Sequence, residues 1–241
     1  MSAREVAVMV AMCLVWGFHF VVIKVAVGTV PPIFYAAIRM TLVAMLLAGF
    51  LRWRPGHMVR VLSGGLCLGA VNYALMFTGL KLATASVAAI AMELYVPFAT
   101  ILAIFFLNDR LGWRRGVGIL LAFIGVAIIS LGKHSDVGPE TRIPLGIGLV
   151  AAGALFEAFG SILVKKSQAF KPHELLAWFS LVGAVGLWMM TMLFEVDQQE
   201  AFAAADKKLL IGAIVYSALG GSIFGHTAYY WLLQRLPVST V

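Results

Sequence analysis

Two carboxylates lie inside long apolar stretches of the sequence. Glu93 and Glu157 each have only uncharged neighbours for several residues on both sides. A charge at the centre of a bilayer costs on the order of 2.5–3.5 kcal/mol on insertion scales, so such residues are rarely incidental. Either carboxylate could bind a substrate ammonium group or carry a proton. The alternative for both is a neutral carboxylic acid that only joins two helices.

Further polar and aromatic side chains fall at comparable depths in other apolar stretches. We predict cavity-facing hydrogen bonds for His19, Asn72 and His226, against the alternative of plain bonds between helices. Aromatic residues in membrane helices usually pack against other helices or form interface belts. Three of them, however, lie close in the sequence to the polar residues just named. We predict that these three form cavity walls: Trp16, Tyr73 and Tyr230.

Structural roles are predicted for Arg39 and Pro97. Arg39 lies at a depth similar to that of Glu93, so an ion pair between them is one expectation. Extension of the arginine toward the membrane surface, or binding of helix-end carbonyls, is the alternative. Pro97 lacks an N–H, so it should kink its helix and free a carbonyl near Glu93.

Several kinds of chemistry have no support in the sequence. There is no HExxH, no GxSxG and no pair of intramembrane aspartates, so no catalytic residues are predicted. A metal site needs three or four ligands within reach, and neither His19, His226, Cys13 nor Cys67 has such neighbours. We therefore expect no enzyme activity, no metal and no cofactor.

The elements that position these residues are membrane spans. The 241 residues are 62% hydrophobic and 12% charged, whereas soluble domains are about a quarter charged. A span needs about 20 apolar residues, and eight such stretches are visible. The sequence therefore predicts an all-α polytopic membrane protein whose solvent is the lipid bilayer. The stretches are residues 6–27, 32–51, 61–80, 84–107, 113–132, 144–164, 175–194 and 209–233.

Charged residues alternate between the loops. Acidic residues concentrate in two loops, residues 133–142 and 195–208, while basic residues collect in the intervening ones. By the positive-inside rule the N-terminus is cytoplasmic, and the bacterial inner membrane is the expected location. The same placement explains the net charge of +7 without a nucleic-acid partner. The basic side comprises Arg4, Arg52, Arg54, Arg60, Arg110, Arg114, Arg115, Lys165, Lys166, Lys171 and Arg235.

The second half of the sequence repeats the first. Aligning spans 6 to 8 on spans 1 to 3 pairs Lys24 with Lys165, Asn72 with His226, and Glu157 with Trp16. A unit of five spans makes this an inverted-topology repeat, with units at residues 1–133 and 144–241 and a site between them. Eight helices are present of an expected ten, which leaves about 45 residues unaccounted for. A natural eight-span chain is the alternative.

Four short motifs resemble the EamA-like permeases of the drug/metabolite transporter superfamily. His19 replaces the usual Asn of the first motif, and Glu93 stands where that family usually carries Gln. The resemblance implies a ten-span bundle of two five-span repeats that exports small metabolites, above all amino acids. The motifs are residues 16–24 (WGFHFVVIK), 31–39 (PPIFYAAIR), 96–98 (VPF) together with 108–111 (NDRL), and 232–241 (LLQRLPVSTV).

A secondary transporter that works by alternating access is the leading hypothesis. Its partner would be a small polar metabolite, with amino acids or their derivatives expected, and the oligomeric state stays open. A membrane subunit without transport of its own is the alternative, and an intramembrane enzyme is a weaker one. Saturable flux without chemical change distinguishes the first hypothesis from the other two.

Overall fold

The computed structural model describes residues 2–107, 112–132 and 142–237, and every regular element in these ranges is a helix. Eight helices are long and apolar enough to cross a membrane, which confirms the predicted all-α polytopic fold. In chain order they are α1 (Ala3–Val27), α2 (Pro32–Phe50), α3 (Met58–Leu82), α4 (Ala85–Phe106), α5 (Trp113–Leu131), α6 (Ile143–Lys165), α7 (Pro172–Phe194) and α8 (Lys207–Arg235). A short helix, Gln198–Ala204, precedes α8.

Local sequence explains several helix ends. Ser2 and Glu5 form a capping box, in which the Ser2 hydroxyl accepts from the Glu5 N–H and the Glu5 carboxylate accepts from the Ser2 N–H. Pro32 and Pro172 begin α2 and α7, where the missing N–H would have no partner within the helix anyway. These features fix where the spans start.

Two lysines tie together the ends of parallel helices. Lys24, in the last turn of α1, donates to three carbonyls at the end of α3 over 2.5–3.1 Å. Lys165, in the last turn of α6, donates to the Leu236 carbonyl just after α8 at 2.7 Å. Cations are favourable at helix C-termini, where carbonyls lack intrahelical donors. Helices α1 and α3 therefore run in one direction together, and so do α6 and α8.

The repeat-equivalent helices α2 and α7 run antiparallel. The Glu195 carboxylate after α7 accepts from the N–H groups of Ile33 and Phe34 at the start of α2, both at 2.8 Å. At the opposite ends of these two helices, Nη2 of Arg54, which follows α2, lies 3.1 Å from Oε2 of Glu174 in the first turn of α7. The directions agree with an inverted repeat. The division into units at 1–133 and 144–241 stays a prediction, and the segment 133–141 lies outside the described residues.

Helices α3 and α8 share an irregularity. Each changes to π-helical hydrogen bonding near its middle, over Gly65–Val71 in α3 and Ser217–His226 in α8. The segment in α3 ends just before Asn72, and the segment in α8 ends at His226. The sequence repeat pairs these two residues. Short π-helical segments are frequent at functional sites, because they redirect side chains that a regular helix would place elsewhere.

Helix α4 is interrupted close to Pro97. One helical piece is Ala85–Met92, and the next begins at Tyr95. Pro97 cannot donate to the Glu93 carbonyl, which instead accepts from Val96 N–H at 3.1 Å. The carbonyl that the sequence predicts to be freed is therefore bonded locally.

Glycines allow the tightest helix contacts. A Cβ on Gly69 of α3 would lie 2.2 Å from the Phe179 carbonyl oxygen, and one on Gly183 of α7 would lie 2.4 Å from that of Gly69. Helices α3 and α6 approach similarly at Gly79 and Gly146, where a Cβ would lie 2.6 and 2.8 Å from the facing carbonyl. Small residues that let backbones meet are the usual basis of helix association in lipid.

Candidate transport cavity

A cavity that carries several polar side chains lies between the two halves, lined by residues of α1, α2, α3, α4, α6 and α8. It contains about 440 Å³ of empty space including its open mouth. Phe20, Met76 and Met92 form its apolar wall. Six of the eight predicted substrate residues line it: Trp16, His19, Asn72, Tyr73, Glu157 and His226.

Glu93 does not line this cavity, contrary to its predicted place beside Glu157. Its side chain is exposed on the protein surface and lines a separate groove between α4 and α5, with Thr100 and Arg115. The neighbouring Met92 takes the position on the cavity wall. Successive helical residues point about 100° apart, so two residues at the same depth in the membrane can lie on different faces of their helices.

Tyr230 also lies outside the cavity wall. Its side chain is fully buried, with its ring 5.4 Å from that of Phe179 on α7 and 5.9 Å from that of His226. Tyr230 follows His226 by one helical turn and therefore lies on the same face of α8, but it packs against α7. Its place is a layer behind the cavity.

Arg39 lies in the cavity instead of pairing with Glu93. Its side chain is 1% exposed. Its Nε and Nη2 donate to the Ser222 hydroxyl at 3.0 and 2.7 Å, and Nη2 also donates to the Tyr73 hydroxyl at 3.1 Å. The guanidinium carbon stands 4.6 Å from the centre of the Tyr73 ring. The face of α2 that carries Arg39 meets α3 and α8, so neither Glu93 nor the membrane surface is its partner.

A chain of hydrogen bonds continues from Arg39. The Tyr73 hydroxyl lies 2.7 Å from His226 Nε2, and His226 Nδ1 lies 2.8 Å from the Gly221 carbonyl oxygen. Because a carbonyl only accepts, Nδ1 carries the proton, and in neutral His226 the Nε2 atom accepts from Tyr73. Trp16 Nε1 donates to the same carbonyl at 3.1 Å. The π-helical segment of α8 thus presents Gly221 and His226 to α1 and α3.

Glu157 occupies another part of the wall, on α6. Its carboxylate accepts from Asn72 Nδ2 at 3.3 Å, and the same amide donates to the Gly153 carbonyl at 2.9 Å. Glu157 is half-buried. Its carboxylate is therefore held by Asn72 but still faces the cavity. The repeat partners Glu157 and Trp16 both line the cavity, as do the partners Asn72 and His226.

Sequence reasoning missed Ser222, which holds Arg39. A serine that follows two glycines in an apolar span is a weak signal, because most such hydroxyls bond only their own helix. As for metals, no group of three His, Cys, Asp or Glu side chains that could hold an ion occurs within residues 2–107, 112–132 and 142–237.

Apolar spans around a cavity with buried polar side chains are the arrangement found in integral membrane proteins that move small molecules. The model of the EamA-like transporter family matches residues 3–131. The chain belongs to this family, and it is a membrane transporter. Of the resembling motifs, residues 108–111 and 238–241 lie outside the described residues.

Relatives along most of the chain are also transporters. An uncharacterized transporter of Archaeoglobus fulgidus is 26% identical, over 93% of this chain and 78% of the relative. A "probable amino-acid metabolite efflux pump" of Salmonella typhimurium is 27% identical, over 98% of this chain and 80% of the relative. A crystal structure with a TM-score of 0.69 and 19% identity covers 99% of this chain and 82% of its own, which supports the fold.

Proposed function

We propose that the protein moves amino acids or closely related small metabolites through the central cavity by alternating access. The observation that carries this proposal is Glu157, a half-buried carboxylate on the cavity wall with one amide as its side-chain donor. A substrate ammonium group would supply the missing positive charge. The name of the Salmonella relative supports the same substrate class.

Alternating access is supported by the helix directions. The two halves run oppositely and meet at the cavity, which is the arrangement of transporters that rock one repeat against the other. The lysine bonds at the ends of α3 and α8 each join two helices of the same half.

Counterflow in proteoliposomes tests the function. Vesicles preloaded with a mixture of unlabelled L-amino acids should accumulate labelled ones in a saturable manner. Glu157→Gln should lower this flux at least tenfold, because the amide keeps the bond geometry but lacks the charge. Glu93→Gln is the matched control, since Glu93 lies in the outer groove, and it should stay within twofold of the wild type.

The same experiment separates the alternatives. A subunit without transport gives no saturable flux, and an enzyme converts the labelled compound chemically. Equal losses in the Glu157 and Glu93 variants would contradict the assignment of the cavity. Equal activity of Glu157→Gln and the wild type would contradict it too.

We further propose that the N-terminus is cytoplasmic, as the loop charges predict. A background with Cys13→Ala and Cys67→Ala allows single cysteines to be placed in the loops. A membrane-impermeant maleimide should label Gln199→Cys in intact cells and Pro55→Cys only after permeabilisation. The opposite pattern would reverse the orientation.

A further inference from the structure

The Arg39 guanidinium has a donor left over. Two of its nitrogens are used by Ser222 and Tyr73, but Nη1 is buried and has no hydrogen-bond partner among the described residues. The two ion pairs found in that part of the chain both involve Glu174, with Arg52 and Arg54. A buried charge without a counter-charge is costly, and an unmade hydrogen bond adds to that cost. Arg39 therefore has an unused capacity to bind an anion.

His19 has the same property on the same cavity. It is 5% exposed, and its Nε2 is buried without a hydrogen-bond partner in the described part of the chain. Arg39 and His19 both line the cavity. An imidazole Nε2 can donate a hydrogen bond, so a cavity-bound oxyanion would satisfy both side chains.

Glu157, when ionised, gives the cavity the opposite charge as well. Arg39 and Glu157 line one cavity, yet they form no ion pair with each other in the structure. Each instead is held by neutral groups, Arg39 by Ser222 and Tyr73, and Glu157 by Asn72. Two separated opposite charges are complementary to a ligand that carries both charges.

We propose that Arg39 is the carboxylate-binding residue of the cavity, with His19 as a second donor and Glu157 as the partner of the ammonium group. The substrates are then zwitterionic α-amino acids. Phe20, Met76 and Met92 on the wall favour apolar side chains. A guanidinium binds a carboxylate through strong charge-assisted bonds, which a neutral cavity could not replace. This inference rests on the proposed function and assigns its substrate recognition.

The competing explanation is that Arg39 only joins helices. Its bonds to Ser222 and Tyr73 link α2 to α8 and α3. A purely structural arginine would affect all substrates equally, whatever their charge. Ligands that lack the carboxylate therefore separate the two roles.

Competition with the wild-type protein in proteoliposomes is the first arm of the test. Counterflow of labelled L-leucine is measured against unlabelled L-leucine, L-leucinamide, 3-methylbutylamine and N-acetyl-L-leucine. Leucinamide and the amine lack the carboxylate, and N-acetyl-leucine lacks the ammonium group. We expect each of the three to compete at least tenfold less well than leucine. Leucinamide competing as well as leucine would overturn the inference, and this arm needs no variant.

The second arm uses Arg39→Gln. Leucine uptake should fall at least tenfold, to the level of 3-methylbutylamine, while uptake of that amine stays within twofold of the wild type. Arg39→Lys should recover part of the leucine uptake, because the charge returns without the planar fork. Arg115→Gln on α5 is the matched control and should change neither substrate. Equal losses for leucine and the amine in Arg39→Gln would mean that the arginine is structural.

Failure of the proposed function looks different. If leucine is a poor substrate, the best-transported of the L-amino acids replaces it together with its own amide and amine. No saturable counterflow of any amino acid by the wild type would contradict the proposed function itself. Saturable counterflow that ignores the carboxylate would contradict only the assignment of Arg39.

Discussion

Two helix interfaces occupy matching places in the two halves but are built differently. Helix α7 meets α3 through backbone, at Gly69 and Gly183. Helix α2 meets α8 through side chains, with the Arg39 guanidinium bonded to Ser222. In the repeat alignment Arg39 corresponds to Ser180 and Ser222 to Leu68. Glycines thus let α3 and α7 touch, whereas an arginine keeps α2 and α8 apart at the matching place in the other half.

This difference explains why there is a cavity on one side of the bundle. Where two backbones touch, no room is left for a long charged side chain. Where an arginine separates the helices, its Nη1 donor and the space beside it remain available to a ligand. A repeated fold therefore supplies the frame, and departures from the repeat supply the site.

The largest effect is expected at the closed interface. Gly69→Ala places a methyl group against the Phe179 carbonyl and the Gly183 Cα, and neither backbone atom can move aside alone. Overpacking of this kind costs about 1–3 kcal/mol. We expect lower thermal stability of the purified protein in detergent and poor reconstitution.

Gly125→Ala on α5 is the matched control for this substitution. A Cβ there meets nothing within 4 Å, and α5 has no buried residue in the described structure. Alanine should be neutral or slightly stabilising, since it has the higher helix propensity. If both variants melted at the same temperature as the wild type, the α3–α7 contact would be looser than described.

The frame could be predicted from the sequence because its signals are long and periodic. Apolar stretches of about 20 residues define spans, and loop charges alternate with them. Lys24 and Lys165, which the repeat alignment pairs, make equivalent helix-end bonds in the structure. The pairing of Asn72 with His226 anticipated two residues on one cavity wall.

The site could be predicted only in part, because depth in the membrane says little about which face of a helix a residue occupies. Depth selected six cavity residues, but it also selected Glu93, whose helix turns it to the outer groove. Depth also gave Arg39 the wrong partner, Glu93. The observed partner, Ser222, lies four residues before His226 on a π-helical segment that the sequence does not reveal. Facing depends on helix irregularities and contacts that are set by tertiary packing.

A moderate effect is expected at the open interface. Ser222→Ala removes the acceptor of two Arg39 bonds, at 3.0 and 2.7 Å. A hydrogen bond to a charged group contributes about 1.5–3 kcal/mol, and because both bonds end on one hydroxyl, the Tyr73 bond and the cavity offset most of their loss. We expect the protein to fold, with a KM for leucine raised several-fold because Arg39 is no longer held in place. An unchanged KM in proteoliposome counterflow would show that Ser222 does not position Arg39.

The smallest effect is expected from Ser180→Ala, the variant at the position that matches Arg39 in the closed interface. Ser180 is fully buried, and its hydroxyl donates to the Ala177 carbonyl of its own helix at 3.0 Å. That bond is local, so its loss should cost less than about 1 kcal/mol. Leucine counterflow should stay within twofold of the wild type. If Ser180→Ala instead raised the KM as much as Ser222→Ala, both interfaces would contribute to substrate binding. The substrate would then not be held on the α2–α8 side alone.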